Sequence, residues 1–86
     1  MKDNSMDDVW VERVQALLAG AFQVPVESVP ADLSFGGLPQ WDSMGHMEVM
    51  MRLEQEYGVE INTETISALT DVPSICAYLK EHSSHA

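Results

Sequence analysis

The sequence predicts an all-α fold, a small bundle of three main helices and one short helix, with a long loop between the first two. Apolar residues recur at helical spacing in three separate stretches. Most prolines and a Gly-Gly pair fall between those stretches, and no convincing strand pattern occurs anywhere in the 86 residues. A chain of this length cannot divide its apolar content between two cores, so residues 1–86 are expected to form one domain, ordered over about 6–81.

The first helix is expected over about 6–20. Ser5, Asp7 and Asp8 suit a helix start, where a carboxylate meets the positive end of the dipole. Trp10, Val14, Leu17 and Ala21 then repeat at spacings of four, three and four, and Gly20 stands near the end. Pro25, Pro30, Pro39 and Gly36-Gly37 break the next stretch, which still carries Val24, Val26, Val29, Leu33, Phe35 and Leu38. Loops this long are uncommon in compact domains and are often functional. Its apolar residues suggest that it packs back across the helices, with room for a helical turn near 27–30. A second helix is expected from Ser43 to Tyr57, stopped by Gly58. A short segment over 63–69 holds Ile66 and Leu69, and Asp71 then caps a last helix that tolerates Pro73 in its first turn. Val72, Ile75, Cys76 and Leu79 would form the buried stripe of that helix, and the terminal SSHA is expected to fray.

The charge balance narrows the partners. With 4 Lys+Arg against 14 Asp+Glu, the formal net charge is −10, which a phosphate backbone would repel, so nucleic acid is excluded as a partner. Basic protein surfaces would be attracted instead. No apolar run is long enough for a membrane span, and MKDNSMDDVW lacks the apolar core of a signal peptide. The single cysteine, Cys76, excludes an internal disulfide and fits a reducing, cytoplasmic setting.

The second helix carries two apolar stripes. At about 100° per residue from Met44, Val49, Met50, Leu53 and Tyr57 fall between about 140 and 240°, a compact core face. Met47 and Met51 fall near 300 and 340°, beside Met44, bordered by Glu48, Glu54 and Gln55. A helix buried on one side has no internal need of a second stripe. Either the loop or the short helix covers these methionines, or they form a docking strip whose flexible side chains adapt to partner proteins, with the acids steering basic partners.

At the mouth of this helix stands WDSMGHMEVM, with Ser43 directly after Asp42. Either residue could simply cap the helix. Equally, a phosphate on Ser43 would meet the exposed N–H groups of a helix start. The run FGGLPQWDSMGHMEVMMRLEQEYGVEI resembles the acyl carrier proteins, whose D-S-[L/M] triplet opens the second helix. The likeness extends over most of residues 6–81. It includes the acidic apolar helix, Tyr57, the turn to Ile61, the short third helix and a fourth closing with Ile75, Tyr78 and Leu79.

The resemblance implies an acyl-carrier-like four-helix bundle in which Ser43 bears a 4′-phosphopantetheine arm transferred from coenzyme A, with Asp42 as its motif neighbour. It implies a carrier without catalytic residues, which holds an acyl or aminoacyl group as a thioester. The partners implied are a phosphopantetheinyl transferase, an acyl- or aminoacyl-loading enzyme, and a downstream acyltransferase, ketosynthase or condensation enzyme. Met44, Met47, Glu48 and Met51 are the candidate contact residues, with Trp41 and Ile66 added, although Trp41 could equally pack the loop. A monomer is expected.

Met44 and Gly45 depart from fatty-acid-synthesis carriers, which usually have Leu and then an acidic or polar residue. The run Trp41 to Met47 looks more like stand-alone carriers of specialised pathways, polyketide or nonribosomal peptide; D-alanine carriers for cell-wall acids also use a DSMG variant. An interaction module without the arm is the remaining alternative. A Ser43–His46 catalytic pair would lack an orienting third member and an oxyanion site. His82 and His85 lie on a tail too poorly organised to hold a metal.

Overall fold

The computed structural model describes residues 5–83. Its helices are α1 (Ser5–Phe22), α2 (Ser43–Tyr57), α3 (Thr63–Ala68) and α4 (Val72–Ser83), with a 3-10 turn at Val26–Ser28. Among the described residues, extended pairing is limited to one antiparallel bridge between Ser34 and Asp71. The side chains of Ser5, Asp7 and Asp8 lie outside those described, as do residues 84–86, including His85.

The first helix runs past its expected end. Gly20 stays helical because Phe22, two residues on, is buried with its ring 5.6 Å from that of Trp41. The stop comes at Gln23, which takes a left-handed φ of 58°, while Val24 N–H returns to the Ala19 carbonyl at 3.0 Å. Val14, Leu17, Leu18, Ala19 and Phe22 line the buried face, and Trp10 packs against Tyr57 with ring centroids 5.7 Å apart.

The long loop does pack back across the helices, though not with every apolar residue. Val29, Leu33 and Trp41 are buried, Val24 and Leu38 partly so, whereas Val26 and Phe35 remain exposed. Polar contacts fix the course. Gln15 Nε2 donates to the Val29 carbonyl at 2.7 Å. Val72 N–H donates to Leu33 O, and Phe35 N–H to Thr70 O, at 2.9 and 2.8 Å. The loop is thus tied to α1 at one end and to the start of α4 at the other.

Each later helix has the punctuation its sequence announces. Gly58, at φ 72°, ends α2 in the left-handed conformation. Asn62 and Thr65 form a reciprocal capping box at α3, at 2.9 and 3.0 Å, without which six residues would hardly hold as a helix. Asp71 caps α4 by accepting from Ser74 N–H at 2.7 Å. Val72, Ile75 and Leu79 are fully buried there, but Cys76 is only partly buried, at the margin of the core. No helix among the described residues is long and apolar enough to cross a membrane.

Candidate functional site

The start of α2 is built so that Asp42 does the capping and Ser43 does not. Asp42 is extended (φ −107°, ψ −165°), and its Oδ1 accepts from Gly45 N–H at 2.9 Å. Its main-chain carbonyl accepts from His46 N–H at 2.7 Å. Ser43 is therefore the first helical residue; it is exposed, and its hydroxyl has no hydrogen bond among the described residues. The N–H groups of Ser43 and Met44 have no carbonyl to reach within the helix, as at any helix start. A phosphate ester on Ser43 fits this setting, with amide dipoles beside it and no structural contact to break.

Gly45 is needed for the loop to reach this helix. A Cβ there would run into the carbonyl oxygen of Gln40 and lie 3.0 Å from its carbonyl carbon. The close approach of loop and helix in this chain thus leaves no room for a side chain at this position. Only a residue without a side chain leaves that space.

One of the contact candidates needs correction. Trp41, counted among the partner-binding residues, is fully buried at 0% exposure. It packs the loop onto the core beside Phe22, and its indole Nε1–H donates to His46 Nδ1 at 3.0 Å. Glu48 stays accessible, and its Oε2 pairs with Arg52 Nε at 3.1 Å one helical turn on. The remaining candidates lie where a partner could reach them. Met44, Met47 and Met51 are 82, 40 and 43% exposed, so neither the loop nor α3 covers them, while Val49, Met50 and Leu53 face inward. Ile66 on α3 is partly buried and lines a groove with Ser43 and Met47.

That groove has a volume of about 430 Å³, and Phe35, His46, Ser67 and Thr70 complete its lining. Phe35 and His46 are the residues that sequence reasoning missed as parts of the site. His46 is 5% exposed. Because an indole N–H can only donate, His46 Nδ1 must accept, so the proton sits on Nε2 and is donated to the Ile66 carbonyl at 2.8 Å. Both ring nitrogens are thereby engaged, and His46 cannot serve Ser43 as a base. Its helical position, about 200° from Met44 and amid the core face, could have signalled this burial. At the other end of the chain, His82 stacks on Tyr78 at 3.9 Å and bonds its carbonyl at 2.8 Å. No metal-holding group of acids, histidines and cysteine is found among the described residues.

The family model described as "Phosphopantetheine attachment site" matches residues 12–79, and the chain belongs to that family, the carriers of 4′-phosphopantetheine. Its relatives include an acyl carrier protein of Rickettsia bellii, 30% identical over 73 residues, covering 85% of this chain and 90% of the relative. One from Thermosynechococcus vestitus is 33% identical, covering 80% and 85%, and acyl carrier protein 3 of Ralstonia nicotianae is 26% identical, covering 81% and 80%. The protein is accordingly an acyl carrier and not a catalyst, and such a carrier works with a phosphopantetheinyl transferase and acyl-handling enzymes.

Proposed function

We propose that Ser43 is the attachment point of the 4′-phosphopantetheine arm. In this reading the protein delivers an acyl or aminoacyl group to partner enzymes of a specialised pathway, of the polyketide or nonribosomal peptide kind. The supporting observation is the division of labour at the helix mouth. Asp42 carries the cap, so the exposed Ser43 hydroxyl can be modified without cost to the fold. When attached, the arm supplies a terminal thiol that holds the cargo as a thioester and presents it at high effective concentration. The Met44–Met47–Met51 strip beside Ser43 is the surface on which partners dock, with Ile66 and Phe35 at its edge. The chain acts as one domain, a monomer, in the cytoplasm.

Intact mass after incubation with coenzyme A and a broad-specificity transferase tests the attachment point. The parent should gain one phosphopantetheine. Ser43→Ala should gain none while keeping its stability to within about 0.5 kcal/mol. Asp42→Ala, which removes the cap, should lose about 1 kcal/mol. Modification of Ser43→Ala would refute the assignment. A D-alanyl carrier is the second reading, favoured by Gly45 after Met44. It predicts loading by a D-alanine-activating ligase and not by enzymes that activate other acyl units.

A further inference from the structure

We propose that Trp41 and His46 close the interior of the bundle to the carried group. The cargo is then a short acyl or aminoacyl unit held at the groove beside Ser43, not a long alkyl chain. This deepens the reading of Ser43 as the attachment point and rests on it.

A long alkyl chain tethered at Ser43 would lower its free energy by leaving water, and the nearest apolar interior lies beneath the floor of the groove. The groove is lined from α2 by Ser43, His46 and Met47 and from α3 by Ile66 and Ser67, and His46, only 5% exposed, stands on its inner side. Its Nε2–H is bound to the Ile66 carbonyl of α3 at 2.8 Å, and its Nδ1 is held by the Trp41 indole at 3.0 Å. Trp41 is fully buried and braced by Phe22 of α1. The Phe35 ring meets the His46 ring edge-on, with centroids 5.8 Å apart, and shields the same junction.

Parting α3 from α2 would break the bond between the His46 imidazole N–H and the Ile66 carbonyl and leave both groups unpaired, which buried polar groups resist. The capping box at Asn62 and Thr65 organises α3 locally but does not tie it to α2; the His46–Ile66 bond does. Outside this barrier the groove offers apolar walls from Met47 and Ile66, with the hydroxyl-bearing Ser67 and Thr70 also in its lining. That chemistry suits a short unit with a methyl group and a hydroxyl or amine. His46 is here a positioning residue that sets whether a carried chain can enter the core.

The test loads Ser43 with acetyl, hydroxyacyl, aminoacyl or decanoyl pantetheine in the parent, His46→Ala and His46→Gln, whose amide can still accept from Trp41 and donate to Ile66. Readouts are thioester cleavage by hydroxylamine, melting temperature, and methyl NMR shifts at Ile66, Leu53 and Ile75. In the parent, decanoyl and acetyl thioesters should be cleaved within about twofold of each other, with shifts at Ile66 and none at Leu53 or Ile75. A chain buried about nine-tenths of the time would instead be cleaved about tenfold more slowly. That protection, with a raised melting temperature, is expected in His46→Ala and absent in His46→Gln. Tenfold protection with core shifts in the parent would overturn the proposal, and the parent's profile decides even if His46→Ala does not fold. If mass spectrometry finds no arm on Ser43, the attachment reading fails separately. Closure is then judged by titrating free decanoyl pantetheine, where shifts at Leu53 and Ile75 count against it and shifts confined to Ile66 support it.

Discussion

Replacing Gly45 by alanine sets two effects of similar size against each other. Inside an ordinary helix the change stabilises by about 1 kcal/mol, through propensity and a less flexible unfolded chain. At Gly45 the added methyl would run into the carbonyl oxygen of Gln40, with the carbonyl carbon at 3.0 Å. Both are backbone atoms, so no rotamer change relieves the contact. The loop itself resists displacement, since Trp41 N–H is bound to Leu38 O at 3.0 Å and Gly36 N–H to Trp41 O at 3.1 Å. Forcing extra volume into such a site costs about 1–3 kcal/mol, and a shifted Asp42 would forfeit part of a cap worth about 1 kcal/mol. The collision therefore outweighs the propensity gain, by about 1–2 kcal/mol. For a domain of this size, that lowers the melting temperature by roughly 5–15 °C. Thermal and urea unfolding of Gly45→Ala beside the parent measure the loss, and the rate of arm transfer should fall with it because the displaced loop flanks Ser43. An alanine variant as stable as the parent and modified at the same rate would refute the close-approach account.

Met47→Ala should slow transfer to or from a partner enzyme more than it lowers stability, because Met47 is 40% exposed; Met50→Ala, at 0%, should cost about 2–5 kcal/mol of folding free energy. Parallel unfolding and transfer assays that reversed this order would put the docking strip elsewhere. A net charge of −10 on 86 residues repels itself, so added salt or Mg²⁺ should raise the melting temperature at neutral pH, and an unchanged value would count against that. Burial pushes the Tyr57 phenol above its usual 10, with nearby Arg13 opposing and Glu56 adding to the rise. Its contribution is thus fully present below pH 10 and is lost as the pH rises through the folded value. The melting temperature should fall more steeply in that alkaline range for the parent than for Tyr57→Phe.

Helix boundaries were most legible where side-chain chemistry punctuates the chain. Gly58 and Asp71 mark their helix ends in sequence and in space, and α2 has the expected span of Ser43–Tyr57. Gly20 misled because glycine only permits a stop, while the burial of Phe22 two residues later required the helix to continue. The helical wheel of α2 separated Met47 from Met50 because one strong periodicity decides both faces. It could not reveal that Trp41 turns inward, since residues in an irregular loop have no period to read. The His46 bridge was hidden for another reason. It joins residues 20 apart in sequence through a main-chain carbonyl on α3, and no residue type announces a carbonyl.

If Ser43 bears the arm as proposed, these features together explain how a small domain can give up that residue to modification. A side chain that must accept a long flexible group cannot also hold the fold, because each modification would then change the stability. Around Ser43 the structural tasks fall to its neighbours. Asp42 caps α2, Gly45 admits the loop, Trp41 anchors that loop in the core and His46 ties α3 to α2. Ser43 is left exposed at the start of α2. The three exposed methionines begin beside it and follow one face of the same helix, so a partner docked on them as proposed would have a fixed geometry relative to the serine. Rigidity at the anchor matters because the tether itself is flexible. If the anchor also moved, the effective concentration of the cargo at a partner's active site would fall with the volume it explores.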